Sequence, residues 1–374
     1  MAFVGNFEKV LGLLKNIYDN NRFLYEFLYK KGIDILNINS YDDFLKVPLL
    51  RKSDLSKMQI ELPPFAGFVY SKPVKIFQSP GPINNVKLED YEQYRFYKAL
   101  QSAGFNSDDI VVNSFGYTVS PAGDMFDEAC RYLNIPVFPL GPTPSEKAAE
   151  IVDTFSATAF IGTKTFLIKT AELCKKKTLR KAYLIAEKMS EDDRKKIKDL
   201  FGIDAFQGYG TAEVGLIATE GLGFSHMKID TEKIFIEHLD PNNCNPTDLE
   251  DYGEAVVTFI DHRLPFIRLA TGDLVSYEGS FLTGVYGRVD SSVKVKGVFI
   301  HYWDFENFCN ENDMKCKMKI EHSDKNDIIN IEISRGVDNF EGKFKKRFGL
   351  TVNNVSIVSN LDKNEVSDLR NWKN

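Results

Sequence analysis

The stretch that most constrains the fold is Gln207-Gly208-Tyr209-Gly210-Thr211-Ala212-Glu213-Val214-Gly215, which follows a predicted short strand. Its glycines surround one aromatic ring, one hydroxyl and one carboxylate. Glycine lets a backbone approach a ligand closely, a tyrosine can stack on a planar base, and a lone Glu can hold a hard cation such as Mg²⁺. Taken alone, the stretch is equally compatible with a glycine-rich turn that carries an incidental acid.

Strands and helices alternate on the N-terminal side of this stretch. Residues 6–31 carry apolar residues at helical spacing, and a short helix is predicted at 41–45. The predicted strands beyond them are 109–114, 158–162 and 181–186, and the predicted helices are 124–133, 145–155 and 164–175. A further helix begins after Ser190, because acidic residues fill its first turn and favour the helix dipole. Strand, helix and strand at this spacing predict βαβ units and an α/β core.

The pattern changes twice on the C-terminal side. Short strands at 234–238, 254–260 and 266–269, separated by turn-rich loops, predict a β-rich subdomain. The elements predicted beyond residue 291 are a strand at 293–298, a helix at 303–310, a strand pair at 317–321 and 329–334, a helix at 339–348 and a final strand at 352–358. We therefore predict a large domain over 1–289 and a small α+β domain over 290–374. The basic cluster 343–347 is more simply a solvated helix face than a functional patch.

Composition removes several classes of protein. The chain has 374 residues and a formal charge of −6, which disfavours a broad nucleic-acid-binding surface. Its five cysteines show no paired CxxC spacing, as in a reduced cytosolic protein. No apolar run approaches the ~18 residues needed to span a bilayer, and the N-terminus lacks the features of a signal peptide. The sequence thus predicts a cytoplasmic protein without nucleic-acid or membrane partners.

Three further segments could carry chemistry. An apolar strand is predicted to end at Asp273, whose carboxylate could accept two hydrogen bonds from a vicinal diol such as ribose, although Gly-Asp is also ordinary turn chemistry. Arg288 could offer a fixed fork to phosphate or ribose oxygens, while the Val-Lys alternation at 293–296 is most simply an edge strand. The Ser-, Gly- and Pro-rich turn in 76–84 could present amides to phosphate, but by itself it is a loop.

The order and spacing of these segments resemble the adenylate-forming ligase superfamily, and within it the phenylacetate–CoA ligase group. The segments that carry the resemblance are Tyr-Gly-Thr-Ala-Glu at 209–213, Thr-Gly-Asp at 271–273 and Gly-Arg-Val-Asp at 287–290, supported by 42–55, 113–117, 185–187 and 263–268. The resemblance covers essentially the whole chain. It implies a large N-terminal ligase domain, with an α/β core and a β-rich subdomain, and a small mobile C-terminal domain.

The resemblance also implies an activity and its cofactors. Such enzymes use ATP and Mg²⁺ to convert a small carboxylic acid to an acyl-adenylate and pyrophosphate. A thiol, usually that of CoA, then displaces AMP to give a thioester. Catalysis is mostly positioning and charge neutralisation, because an anion must approach a polyanion.

Site roles follow from the motif matches. The implied nucleotide-binding residues are Ala186, Glu187, Tyr209, Gly210, Thr211, Asp273 and Arg288. Among them, Tyr209 would lie against adenine and Asp273 would bind the ribose hydroxyls. Glu213 would hold Mg²⁺, and Lys363 would neutralise charge on the carboxylate and α-phosphate, unless it is a surface lysine in a frayed tail.

The remaining implied roles concern the acid, the thiol and the hinge. Phe115, Gly116 and Tyr117 would border a small, preferably aromatic, acid, although core packing is the commoner role of a Phe. Asp290 would be the hinge between the domains. Gly297 would line the channel for the pantetheine arm of CoA.

Departures from the family pattern concentrate at the phosphate loop. The family's Ser-Ser-Gly-Thr-Thr-Gly-Lys-Pro is reduced here to residues 79–85, of which Ser79 and Gly81 are the remaining candidates. Its two prolines remove amide donors, and Ala212 stands where threonine is usual. These changes weaken triphosphate handling specifically.

Three functions are therefore kept open. The first is an acid–thiol ligase that transfers an aryl or similar acyl group to CoA. The second transfers the acyl group to a carrier-protein or protein thiol. The third is a non-catalytic nucleotide-binding protein. The identity of the acid and the oligomeric state, including a homodimer, stay open.

Overall fold

The computed structural model describes residues 3–79, 82–241, 243–249, 252–289, 292–295, 298–323 and 326–369. Its helices are α1 (Phe7–Asn20), α2 (Arg22–Lys30), α3 (Tyr41–Phe44), α4 (Lys52–Glu61), α5 (Phe96–Ser102), α6 (Ala122–Tyr132), α7 (Ser145–Phe155), α8 (Lys164–Leu173), α9 (Glu191–Phe201), α10 (Tyr302–Glu311) and α11 (Phe340–Phe348), with a 3₁₀ turn at Ile35–Asn37. No helix in this part of the chain has the length and apolarity needed to cross a bilayer.

The strands fall into four sheets. In chain order they are β1 (Phe3–Val4), β2 (Leu50–Arg51), β3 (Lys75–Ser79), β4 (Ile83–Lys87), β5 (Val111–Asn113), β6 (Val137–Pro139), β7 (Ala159–Gly162), β8 (Lys181–Leu184), β9 (Asp204–Thr211), β10 (Gly215–Gly221), β11 (Phe224–Ile229), β12 (Ile234–Leu239), β13 (Gly253–Phe259), β14 (Leu269–Glu278), β15 (Phe281–Arg288), β16 (Ser292–Val295), β17 (Val298–His301), β18 (Cys316–Ser323), β19 (Asn326–Ile333), β20 (Asn354–Ile357) and β21 (Glu365–Asp368). The main sheet runs in the order β1-β12-β13-β14-β15-β11-β10-β9-β8-β7-β5-β6, with β2 beside β14.

One half of the main sheet is parallel and covered by helices on both faces. Strands β6, β5, β7, β8 and β9 pair in parallel. Along β7, Ala159 and Ile161 pack with α5 and α6, whereas Phe160 packs with α7, α8 and α9. Successive side chains on a strand point to opposite faces, so this alternation lets one short apolar strand bury itself on both sides. The predicted α/β core is confirmed.

The other half of the main sheet is antiparallel, which confirms the predicted β-rich region. The predicted strand at 266–269 is wrong, because β14 begins only at Leu269. Arg268 adopts a left-handed backbone conformation with φ of +50°. Its guanidinium is buried and bonds Glu237 and the carbonyl of Leu45, which ties the N-terminal segment to the sheet.

The C-terminal elements form a hydrophobic cluster of their own. Strands β18 to β21 make a four-stranded sheet, and β16 and β17 make a hairpin. Buried side chains between Val293 and Val352 pack around Phe305 and Phe344. The predicted strand at 352–358 is present as β20 but is not the final strand, since β21 follows it. The separate cluster supports the proposed domain boundary at 289/290, and the mobility of this module stays a prediction.

The N-terminal helical segment is two helices rather than one. Asn21 separates α1 from α2, and its side-chain oxygen accepts from the backbone amide of Leu24. Asparagine favours such capping because its short polar side chain replaces a backbone acceptor. The capping box at the start of α9 agrees with the prediction there, since Ser190 and Asp193 bond each other's backbone amides.

Candidate functional site

A cavity of about 450 Å³ lies where β8, β9, β14 and β15 meet. Of the residues assigned to the nucleotide, those that line it are Ala186, Glu187, Tyr209, Gly210, Asp273 and Arg288. The cavity is also lined by residues for which no nucleotide role was predicted, namely Ile185, Lys188, Gln207, Gly208, Val285, Tyr286 and Gly287. The loop after β8 leaves the carboxyl edge of the parallel strands, where ligands of α/β sheets usually bind. The structure thus brings six separately predicted residues into one cavity.

Asp273 joins two other residues of the cavity through hydrogen bonds. The Tyr209 hydroxyl donates to Asp273 Oδ2 at 2.8 Å, and the Arg288 guanidinium donates to Oδ1 at 3.0 Å. Burial and the nearby Asp273 carboxylate raise the pKa of Tyr209 well above its ordinary value, so the hydroxyl keeps its proton. The Asp273 carboxylate therefore fixes the cavity's tyrosine and its arginine at once.

A bulge, and not a strand end, aims Asp273 at this cavity. The prediction that Asp273 ends a strand is wrong, because it lies inside β14. Residues 271–273 of β14 face only Ala255 of β13, whose carbonyl accepts from the Thr271 hydroxyl. Gly272 supplies the positive φ of +78° that this bulge needs. Bulges redirect side chains in this way and are frequent beside active sites.

The glycine-rich stretch is mainly strand and not turn. Residues 207–211 belong to β9, and the chain reverses only before Gly215. A Cβ on Gly208 would lie 2.0 Å from the Tyr183 hydroxyl, so only glycine fits beneath that buried ring. Thr211 does not line the cavity, and its hydroxyl accepts from the Val214 amide at 3.4 Å.

The loop that carries Ala186 and Glu187 is held from both sides. Ala186 has a φ of +72°, an unfavourable conformation for a residue with a Cβ. The Glu187 carbonyl accepts from Gln207, and its carboxylate accepts from the Thr165 amide at the start of α8. These bonds fix the side of the cavity assigned to adenine.

Glu213 lies outside this cavity, beside Lys52. It is 2% exposed, and its Oε2 lies 3.2 Å from the Lys52 ammonium. That oxygen makes no hydrogen bond of ordinary geometry. No group of three His, Cys, Asp or Glu side chains able to hold a metal occurs among the residues the structure describes. Because an ammonium group already contacts Glu213, this arrangement does not fit a direct Mg²⁺ ligand, and that assignment stays a prediction.

Arg95 holds the turn that carries Glu213 and was missed by the sequence analysis. Its fully buried guanidinium donates to the carbonyls of Val214 and Leu216, at 2.9 and 2.5 Å, and to Asp230 at 2.7 Å. Burial lowers the pKa of Arg95, and the Asp230 carboxylate opposes that effect. No motif surrounds Arg95, so only its position in the fold reveals this role.

The other predicted residues lie apart from the cavity. Phe115 stacks on Phe126 with ring centroids 5.5 Å apart. The Gly116 carbonyl accepts from Gly123, and the Tyr117 hydroxyl accepts from Asn113 at 2.8 Å. These contacts place segment 115–117 beside the first turns of α6, and none of its three residues lines the cavity around Asp273.

The remaining predicted residues are those of the phosphate loop, the C-terminal lysine, the hinge and the CoA channel. Ser79 ends β3, and its hydroxyl accepts from Asn85 at 2.9 Å. The Lys363 side chain is 71% exposed, with its ammonium 4.0 Å from Glu365. Gly81, Asp290 and Gly297 lie outside the described residues, so their roles stay predictions.

A second cavity, of about 280 Å³, lies between α2 and α4. Its walls include Leu24, Phe27, Met58, Phe68 and Ile267, and none of the predicted site residues lines it. We therefore assign the candidate site to the cavity around Asp273, which six of the predicted residues line.

Comparisons with known proteins identify two similar enzymes and a structure of the same fold. No family model matches the chain. A phenylacetate–coenzyme A ligase of Escherichia coli K12 is 25% identical over 320 residues, which cover 76% of this chain and 70% of the relative. The Pseudomonas putida enzyme of the same name is 23% identical over 292 residues, which cover 71% of this chain and 64% of the relative, so the chain matches somewhat less than two thirds of that protein's length.

A solved structure has the same fold. The chain matches an open conformation of 2-hydroxyisobutyryl-CoA ligase, in complex with 2-HIB-AMP and CoA, with a TM-score of 0.77. The match covers 94% of this chain and 86% of that structure at 17% identity. At this identity the likeness establishes the fold alone.

Proposed function

We infer that the chain belongs to the adenylate-forming ligase superfamily and to its phenylacetate–CoA ligase-like group. We therefore propose that it is an AMP-forming acid–thiol ligase. In the first step an oxygen of a carboxylic acid attacks the α-phosphorus of ATP, giving an acyl-adenylate and pyrophosphate. In the second step the sulfur of a thiol attacks the acyl carbon, giving a thioester, AMP and one proton. The observation that carries this proposal is the cavity in which Asp273 binds both Tyr209 and Arg288.

The chemistry of this cavity suits a nucleoside monophosphate group. A carboxylate has about four lone-pair sites, so Asp273 can accept hydrogen bonds from ribose hydroxyls. The ring of Tyr209 and the loop at Ala186 and Glu187 offer a flat wall on the adenine side. Arg288, the exposed member, can donate to an oxygen of the nucleotide without leaving Asp273.

We propose a small, preferably aromatic, acid as substrate. Segment 115–117 carries two aromatic side chains next to the glycine that matches the family pattern, and aromatic walls favour flat apolar acids. The names of the two curated relatives, which are phenylacetate–coenzyme A ligases, support this class of acid.

We propose CoA as the acceptor. The relatives are named as CoA ligases, and the matched solved structure is described as a complex with CoA. A carrier-protein or protein thiol is the alternative acceptor. A homodimer and a cytoplasmic location stay predictions from the sequence.

Mg²⁺ belongs to the proposed reaction as the usual companion of ATP. When bound, it would neutralise negative charge on the phosphates. Glu213 contacts Lys52 in this structure, so we derive no step through the metal.

The proposal is tested by ATP–pyrophosphate exchange over a panel of aryl and short aliphatic acids, followed by thioester detection with CoA. Exchange with at least one acid is expected, with thioester formation at the turnover rate. Exchange without transfer to free CoA would favour the carrier or protein thiol. A folded protein that binds AMP and shows no exchange with any acid would instead be a non-catalytic nucleotide-binding protein, which the shortened phosphate turn favours.

A further inference from the structure

The turn between β3 and β4 offers little positive charge to a polyphosphate, because the lysines of this hairpin, Lys75 and Lys87, lie at its other end and pair with acidic residues of α6. The turn and its flanks, residues 79–85, contain no lysine or arginine, and Pro80 and Pro82 lack amide protons. A nucleoside triphosphate carries several negative charges, which a binding site usually meets with cations and amide donors. If this hairpin faces the phosphates, positive charge must come from another element.

Helix α4 is fixed against this hairpin by polar contacts. The Gln59 side chain accepts from the Asn84 amide at 2.7 Å and donates to the Asn84 carbonyl at 2.9 Å. The Ser56 hydroxyl donates to the Pro82 carbonyl at 3.2 Å. These bonds on successive turns of one helix hold α4 and the hairpin in register.

Lys52, the first residue of α4, lies between this hairpin and the glycine-rich motif. Its ammonium is 3.2 Å from Glu213, and Glu213 shares a small cavity with Asn84 and Asn85 of β4. Glu213 follows Tyr209 by four residues, so the contact lies within roughly 13 Å of chain from the nucleotide cavity. A triphosphate that extends from a nucleotide in that cavity towards Glu213 would therefore meet the ammonium of Lys52.

The Lys52 side chain can reach a ligand without losing Glu213. It is 29% exposed, whereas the Glu213 side chain is 1% exposed. A lysine ammonium has three donors on a flexible stem and needs no fixed approach angle. The nearest Glu213 oxygen makes no hydrogen bond of ordinary geometry, so the pair is an ion contact that leaves donors available.

We propose that Lys52 is the cation that binds the β- and γ-phosphates of ATP, with Glu213 as the residue that positions it. The inference rests on the proposed function for its ligand, because a triphosphate is what the ligase reaction requires. It assigns to α4 the positive charge that the turn between β3 and β4 lacks. It uses no metal ion.

The alternative is a purely structural ion pair that holds the turn after β9. Binding of ATP and AMP separates the two explanations, because only ATP carries the outer phosphates. If Lys52 contacts the outer phosphates, replacing it weakens the binding of ATP alone. If Lys52 has a structural role, replacing it disturbs the cavity that both nucleotides share and weakens the binding of both.

The experiment measures ATP and AMP binding by titration calorimetry, without any acid, for the full chain and three variants. Lys52→Met is expected to weaken ATP binding about tenfold or more, the loss typical of one charge-assisted hydrogen bond, and to leave AMP binding within about twofold. Lys52→Arg keeps the charge and is expected to retain most of the ATP affinity. Lys57→Met, on the same helix and lining the other cavity, is the matched control and is expected to change neither ligand.

Each outcome bears on the proposal. Equal loss of ATP and AMP binding in Lys52→Met, or unchanged binding of both, overturns it. If Lys52→Met is poorly folded, Lys52→Gln takes its place, and the ratio of the ATP and AMP affinities remains a valid readout because only folded protein binds. If no acid supports pyrophosphate exchange, the proposed ligase activity is wrong. A selective loss of ATP binding in Lys52→Met would still support the proposed phosphate contact of Lys52.

Discussion

At the scale of single residues, Asp273 organises the candidate site. One carboxylate accepts from Tyr209 and Arg288, and the 271–273 bulge that presents it is closed by the bond from Thr271 to Ala255. The backbone amide of Gly272 also donates to the buried Glu254 at 3.2 Å. The direction of one side chain thus depends on β13, β14 and β15 together.

Replacing Asp273 tests this arrangement. Asp273→Asn keeps the size of the side chain but removes its charge and half of its acceptor capacity. We expect AMP and ATP binding to weaken together, by about tenfold, in contrast to the selective effect at Lys52. Calorimetry with both nucleotides checks this result.

Tyr209→Phe is the matched control for Asp273→Asn. It keeps the ring and removes only the hydrogen bond to Asp273, so we expect a smaller loss. Nucleotide binding by Asp273→Asn at the original affinity would show that Asp273 does not contact the nucleotide.

At the scale of secondary-structure elements, α9 anchors one edge of the cavity. The loop from Leu184 to Ser190 carries Ala186 and Glu187, and it ends where the capping box of α9 begins. Asp193 also accepts from the ammonium of Lys164 on α8 at 2.7 Å. The capping box therefore fixes both the start of a helix and the end of a binding loop.

Removing the cap is expected to cost stability. Ser190→Ala leaves the Asp193 amide without its side-chain acceptor, so the free energy of unfolding should fall by about 1 kcal/mol. Urea denaturation measures this change. Ser145→Ala, at the start of α7 where no side-chain cap is present, is the comparison and should change stability by less than about 0.5 kcal/mol. Equal effects in both variants would contradict a specific capping role.

At the scale of the whole molecule, the proposed mechanism requires the C-terminal module to change position. Lys363 precedes β21 and is 71% exposed, and it is not among the residues that line the cavity. For Lys363 to neutralise charge at the α-phosphate, the module must bring it to the cavity. Domain rotation between half-reactions is a recognised way to assemble a catalytic site in stages.

Lys363→Ala separates the two half-reactions. We expect pyrophosphate exchange to fall by about a hundredfold or more, because the charge it supplies acts on the adenylation transition state. Thioester formation from a chemically prepared acyl-adenylate should be preserved.

Lys317→Ala provides the comparison for Lys363→Ala. Lys317 lies on the neighbouring strand and also pairs with Glu365, at 3.2 Å. Its substitution should leave exchange nearly unchanged. Equal exchange in the Lys363 and Lys317 variants would show that the tail lysine has no role in adenylation.

Much of the fold and part of the site followed from local sequence signals. The strand predicted at 158–162, the acidic first turn of α9 and each separate motif depend on residues close together in the chain. The strand boundary near Arg268 did not follow, because a buried bond network and a left-handed backbone override the apolar pattern there. The break between helices at Asn21 and the last strand, β21, were not predicted, because neither interrupts the hydrophobic periodicity strongly.

The α/β class, the β-rich region and six of the residues that line the cavity could be predicted from the amino-acid sequence. Three contacts became visible only in the folded chain: Asp273 with Tyr209 and Arg288, Arg95 with the turn of Glu213, and Lys52 with Glu213. The two groups of features differ in the sequence separation over which their interactions act. Periodicity and capping act over a few residues, whereas contacts between distant segments are fixed by the order of strands in the sheet and by the burial of charges that must find partners there.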